Sequence, residues 1–172
     1  KKINNFGVLV PNSKKGVKSK IKKRWDVEAS IMLFNKKNLQ NMRFDEKIFL
    51  YFEENDLFFN CLRNNINVFF LPKVTFVHRR ASSIDEKKFK KPNKVKQLRE
   101  WHYMWSYFYF YKKNFGVLFS LKKIFKLFCK DCLMFVFYLI TFNYTSMFLR
   151  YYRISGLLTS IMNFKASKRL KN

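Results

Sequence analysis

The sequence predicts an α/β portion that gives way, near residue 85, to a helical region rich in aromatic and basic side chains. Three observations carry this division. Up to about residue 80, short apolar runs alternate with polar turns, as in a small α/β domain. From about residue 95 onward, long stretches follow helical spacing. Between them, 85–94 reads Asp-Glu-Lys-Lys-Phe-Lys-Lys-Pro-Asn-Lys, a charged stretch whose Pro92 interrupts helix. The expected organisation is 1–84 as the α/β portion, 85–96 as a linker or active-site loop, and 97–172 as a helical, membrane-associating tail.

Taken in order, 27–34 is apolar-rich and bounded by charge, which predicts a strand. Residues 35–42 are expected to form a short helix capped by Asn35. Residues 53–64 predict a helix, because Leu57, Phe58, Cys61 and Leu62 recur on one face. Its first turn carries Glu53, Glu54 and Asp56, which the helix dipole favours by about 0.3–1 kcal/mol each. Residues 68–71 predict a short buried strand ending at Pro72, and 74–77 a second extended piece leading to His78. Helices are expected over 97–114 and from 122 to about 149, with a break near Asn143.

The chain has 172 residues, with 36 Lys and Arg against 11 Asp and Glu, a net charge of +25. An acidic partner is expected: nucleic acid, anionic lipid or a phosphate-bearing substrate. Lys, Asn, Phe, Ile and Tyr share A/T-rich codons, so genome composition accounts for part of this excess. The 20% aromatic content argues against intrinsic disorder. Cys129 and Cys132 stand at a CxxC spacing without a second Cys or His pair. Zinc needs about four ligands, so these read as core or lipid-facing thiols, and a reducing compartment fits them.

Three acids in the four residues Glu53 to Asp56 follow an aromatic run, in a chain otherwise strongly basic. A carboxylate held on a first helical turn beside other carboxylates suits a general base. A neutral imidazole at a strand end, as expected for His78, suits a divalent metal with carboxylate or phosphate co-ligands. The plain alternatives are that the acids only cap the helix and that His78 is a hydrogen-bonding surface or core residue.

Together these elements resemble family 2 glycosyltransferases, in particular the rhamnosyltransferase-like branch of surface-polysaccharide enzymes. The resemblance rests on the strand of 27–34, Phe44-Asp45-Glu46, the aromatic run of 49–52, Glu53-Glu54-Asn55-Asp56-Leu57, the Pro72 to His78 strand and Ala81-Ser82-Ser83. It covers roughly residues 25–85, and Arg99 to Ser106 and Arg153 to Leu157 look like the tail of related enzymes. It implies the second, acceptor-side half of a GT-A catalytic domain. Its nucleotide-binding strands and Asp-x-Asp motif would lie upstream, so the fragment alone would be inactive.

The resemblance further implies inverting transfer from a nucleotide-sugar donor to a lipid-linked or surface-polysaccharide acceptor. Glu54 would be the general base, with Glu53 and Asp56 supporting the site or touching the acceptor. His78 would lie near a divalent metal, Mg or Mn, that neutralises the leaving diphosphate. Here Glu54 stands where the family usually has Asp, Glu28-Ala29 where it has Gly, and Asn60 where it has Arg.

In the tail, Trp101, Trp105 and Tyr109 are expected at a membrane interface, where such rings keep an apolar body inward and a polar tip outward. Lys122, Lys123 and Lys126, spaced among apolar residues, suit a helix lying on anionic lipid. Residues 132–149 lack any charged side chain, but Asn143-Tyr144-Thr145-Ser146 interrupts them, favouring an interfacial or re-entrant helix over a span. The expected location is the cytoplasmic face of a bacterial inner membrane, peripheral or monotopic. The competing readings are a basic aromatic nucleic-acid-binding module, which the acidic cluster disfavours, and a non-catalytic membrane-anchored protein.

Overall fold

The computed structural model describes residues 22–23, 32–35, 37, 42–70 and 92–169. Four helices dominate them: α1 Glu53–Arg63, α2 Pro92–Phe115, α3 Val117–Ile140 and α4 Tyr144–Ile161. Extended structure among the described residues is limited to β1 Lys22–Lys23 pairing antiparallel with β2 Phe69–Phe70. The chain divides into two compact units. The first holds α1 and the β1–β2 pair; the second holds Glu46–Phe52 and the three long helices.

This corrects the expected α/β half-domain. A sheet that anchors such a domain buries apolar side chains on at least one face. The described end of the expected 27–34 strand is instead irregular, with Leu33 91% exposed and Phe34 also exposed. Among the described residues of the expected strand at 68–71, two are in a strand, and Phe69 is exposed. The core lies in helices. The expected strand of 74–77, His78, and most of the expected helix at 35–42 lie outside the described residues.

Helix α1 forms where the 3.6-residue period placed it. Leu57, Phe58 and Cys61 are buried, the acids occupy its first turn, and Arg63 complements the dipole in its last. Asn65 ends it at φ 54°, with Ile66 N–H donating to Cys61 O at 2.8 Å. A left-handed Asn at that position satisfies a carbonyl the helix would otherwise leave open.

Pro92 does not interrupt α2 but begins it, at a position where the missing N–H costs nothing. The helix therefore claims part of the expected linker. Trp101, His102, Met104, Trp105, Ser106 and Phe108 are all buried, so α2 is covered on most of its circumference. Gly116, at φ 87°, turns the chain into α3. Met104 and Phe108 of α2, Ile124 of α3 and Leu157 of α4 form one core cluster.

The expected break falls between α3 and α4. Asn143 is the N-cap of α4, its Oδ1 accepting from Ser146 N–H at 3.2 Å. Farther along, Gly156 brings α4 onto the α2 backbone: a Cβ there would stand 2.2 Å from Trp101 O. One turn later, Ser160 Oγ donates to Trp105 O at 2.9 Å.

Gly156→Ala is expected to destabilise the protein by about 1–3 kcal/mol, because the obstructing atom is backbone and the helices must part. Leu158→Ala, on an exposed position beside it, should have little effect. Thermal or urea unfolding of the two variants measures the difference.

Candidate functional site

The acids of α1 begin directly after two consecutive aromatic residues in left-handed conformation, Tyr51 at φ 64° and Phe52 at φ 66°. Each costs on the order of 1–3 kcal/mol and persists only where surroundings over-determine it. Those surroundings are aromatic. Tyr51 packs edge-on against Tyr103, and Phe52 lies 5.5–5.7 Å from the rings of Tyr103, Tyr107 and Phe110. Ser106 Oγ also donates to Leu50 O at 2.8 Å.

Within α1 the three acids differ. Asp56 is buried, with Asn60 Nδ2 3.4 Å from its Oδ2. It therefore supports the turn and does not present a carboxylate to solvent. Glu53 and Glu54 are half-buried. Glu53 Oε2 is buried without a hydrogen-bond partner among the described residues. A buried carboxylate oxygen left open in this way is available to a hydroxyl or water. His78 lies outside the described residues, and among those described no three His, Cys, Asp or Glu side chains gather as a metal site. Cys129 and Cys132 are free thiols.

The tail residues separate into two groups. Trp101 and Trp105 are not at an interface; both are buried, clustered with Ala166, with Tyr109 and Tyr152 packed beside them. Trp105 Nε1 donates to Phe164 O at 3.0 Å, and its ring stacks on Tyr109 at 4.9 Å. Their aromatic bulk fills the core of the helical unit, an alternative that amphipathic rings always leave open. Lys168 likewise lies over the Tyr152 and Trp101 rings, and Arg169 over Phe49, so these cations serve the fold. Lys122 and Lys126 are exposed, whereas Lys123 is partly covered and lies 5.7 Å from the Tyr111 centroid. Burial lowers the Lys123 pKa.

Sequence reasoning missed the electrostatic centre of this unit. Asp131 on α3 is fully buried; Arg150 Nη1 donates to its Oδ1 and Arg153 Nε to its Oδ2, both at 2.8 Å. Arg153 Nη1 also donates to Glu100 Oε2 on α2. Burial would depress Arg153, but its hydrogen bonds to Glu100 and Asp131 outweigh that and raise its pKa. The signal was present: Asp131 is the only acidic residue after Glu100, set between Lys130 and the uncharged stretch of 132–149. A lone acid there must find cationic partners or stay neutral.

Beyond this network the surface becomes apolar. Leu133, Val136, Phe137, Ile140, Phe142 and Phe148 are exposed around the α3–α4 turn, Phe142 by 74%. Among the described residues, no helix is long and apolar enough to cross a membrane. No protein-family model, curated protein or solved structure matches the chain.

His102 gives the unit a pH response. It is fully buried on α2, its Nε2 2.9 Å from Lys168 O, while Nδ1 is without a partner among the described residues. Desolvation lowers its pKa from 6.5, the Lys168 carbonyl opposes the shift, and the charges of Arg169 and Lys168 add to it. The unfolded chain therefore binds a proton at a higher pH than the folded one. Stability is full above about 6.5 and declines as pH falls through that value toward the lower folded pKa. Unfolding midpoints measured from pH 7 down to about 5 should fall, and His102→Gln should flatten that slope.

Asp131→Ala should cost about 3–5 kcal/mol by leaving two arginines without their shared anion. Adding Arg150→Met and Arg153→Met should recover much of the loss. Urea unfolding of the single and combined variants measures both effects.

Proposed function

We propose that this chain is the acceptor-side, membrane-seated part of an inverting family 2 glycosyltransferase. The supporting observation is the acidic first turn of α1, entered through the strained pair Tyr51 and Phe52. It adds to the motif Glu53-Glu54-Asn55-Asp56-Leu57, on which the family resemblance rests.

In this reading Glu54 is the general base. Its carboxylate takes the proton of an acceptor hydroxyl as that oxygen bonds to the anomeric carbon of the donor sugar. The bond from that carbon to the nucleoside diphosphate breaks in the same displacement, and the electron pair leaves with the diphosphate. Attack opposite the leaving group inverts the anomeric centre. Glu53, with its open buried oxygen, orients the acceptor, and Asp56 holds the turn.

This sequence contains no Asp-x-Asp, and none of its residues is assigned to donor binding. No cluster among the described residues fits the divalent cation proposed to balance the diphosphate. His78 is this chain's proposed contribution near it. The acceptor is a lipid-linked glycan, met at the cytoplasmic face of a bacterial inner membrane. The helical unit's exposed apolar turn and net positive charge support that location.

A second reading, a non-catalytic membrane-seated protein, is favoured by the apolar α3–α4 turn alone. The two separate in one experiment on the protein joined to its donor-binding half. Release of nucleoside diphosphate from nucleotide-sugar donors, with a lipid-linked acceptor, is the measurement. Glu54→Gln is expected to lower kcat by about 10²–10⁴-fold, and Glu54→Asp, the family's usual residue, to retain activity. A rate unchanged in Glu54→Gln would reject the base assignment, and no transfer from any donor by the parent would favour the second reading.

A further inference from the structure

We infer that the α3–α4 hairpin enters one leaflet of an anionic bilayer, with residues 132–149 in the acyl region and the Asp131–Arg150 pair at the headgroup boundary. This deepens the membrane part of the proposed function and is independent of the role of Glu54.

The charge pattern sets the boundary. Asp131 and Arg150 are the last charged residues on either side of the turn, and they bond to each other at 2.8 Å. They lie at one level of the hairpin, so everything beyond that level is free of charge on both helices. The side chains there are not gathered into a core. Val136, Phe137, Ile140, Phe142 and Phe148 point to solvent, Ile140 by 69%. Apolar groups exposed on several sides of a turn suit a solvent that surrounds it better than a partner that covers one face.

The dimensions fit a single leaflet. Residues 132–140 extend α3 by roughly 13 Å at about 1.5 Å per residue. Half of a hydrocarbon core of about 30 Å is close to 15 Å, so at any tilt this length keeps the turn within one leaflet. The turn is closed within itself: Thr141 Oγ1 donates to Phe137 O, Asn143 Oδ1 accepts from Ser146 N–H, and Thr141, Phe142 and Asn143 N–H groups donate to Phe137, Leu139 and Tyr138 carbonyls. A turn at membrane depth tolerates few unsatisfied backbone groups, and these are the ones most at risk.

Charge complementarity selects the lipid. Lys122, Lys126 and Lys130 are exposed at intervals of one turn along the stretch of α3 before Asp131. The exposed Leu118, Leu121 and Phe125 lie beside them. A helix with this combination sits at the headgroup layer of an anionic leaflet, its lysines on phosphates and its apolar side chains below them. Lysines before the boundary and none beyond it describe an oblique entry into lipid.

The full chain is mixed with vesicles of phosphatidylcholine alone or with phosphatidylglycerol, and binding is read by flotation. Tight binding is expected only with phosphatidylglycerol. Ile140→Asp should weaken it about a hundredfold, the effect of a carboxylate placed at membrane depth. Ile140 is exposed, so the variant folds, and an unchanged unfolding midpoint in solution confirms that. Depth is read from a fluorophore on Ile140→Cys or Lys122→Cys, with Cys61, Cys129 and Cys132 replaced by Ala. Lipids carrying a quencher deep in the acyl chain should quench the label at 140, and headgroup quenchers the label at 122.

Parent-like vesicle binding by Ile140→Asp would overturn the inference, as would equal shallow quenching at both positions. Protection of position 140 without vesicles, together with a dimer in sedimentation, would overturn it in favour of a second copy of the chain. None of these outcomes depends on transfer activity, so a failure of the Glu54 assignment remains distinguishable.

Discussion

The helical unit depends on one buried anion. Asp131 is the sole carboxylate within the α3–α4 hairpin, and both of its oxygens are committed to arginines of α4. Arg150 and Arg153 are one turn apart and so share a helix face. Arg153 then reaches α2 through Glu100. Two arginines and two carboxylates balance in charge, which is the condition for burying any of them. The register of three helices follows, since sliding any one by a turn would strand a charge in an apolar interior.

Packing elaborates that register. Gly156 and Ser160 lie one turn apart on α4, and both meet the backbone of α2, at Trp101 and Trp105. Where α4 approaches closely, the two Trp rings are turned toward the segment after it. There Phe164 and Lys168 supply carbonyls to Trp105 and His102, and Ala166 is buried beside the indoles. Another side of α2 receives Tyr51 and Phe52. Their left-handed backbone is held by ring contacts to Tyr103, Tyr107 and Phe110, each of the kind worth about 0.5–1.5 kcal/mol. Several such contacts together match the strain they oppose.

What was legible in the sequence was what local pattern determines. The face of α1, its acidic first turn and the break near Asn143 were read from spacing and side-chain type. The α/β class was not, because a short apolar run is compatible with a strand or with an irregular segment, and only burial decides. Leu33, almost fully exposed, decides against it. Pro92 misled because the same residue that ends one helix begins another. Trp101 and Trp105 misled for a different reason: amphipathic rings have the same composition in a core and at an interface, and only tertiary contacts distinguish them. The left-handed Tyr51 and Phe52 left no sequence signal at all, since glycine or asparagine would be expected there.

The same unit is polar inside and apolar outside along part of its length. Asp131 is buried, whereas Leu133, two residues on, and Phe142 at the turn are largely exposed. In water both arrangements oppose folding: burying a charge costs desolvation, and exposing large apolar side chains forgoes roughly 25 cal/mol for each Å² left uncovered. In lipid the second cost vanishes. The first becomes useful, because a closed ion pair at the base of a hairpin keeps its charges out of the acyl layer while remaining near the headgroups. The inferred entry into lipid would make this inverted polarity coherent. It also gives the proposed acceptor chemistry its setting, since a glycan tethered to lipid reaches only an enzyme seated at that surface.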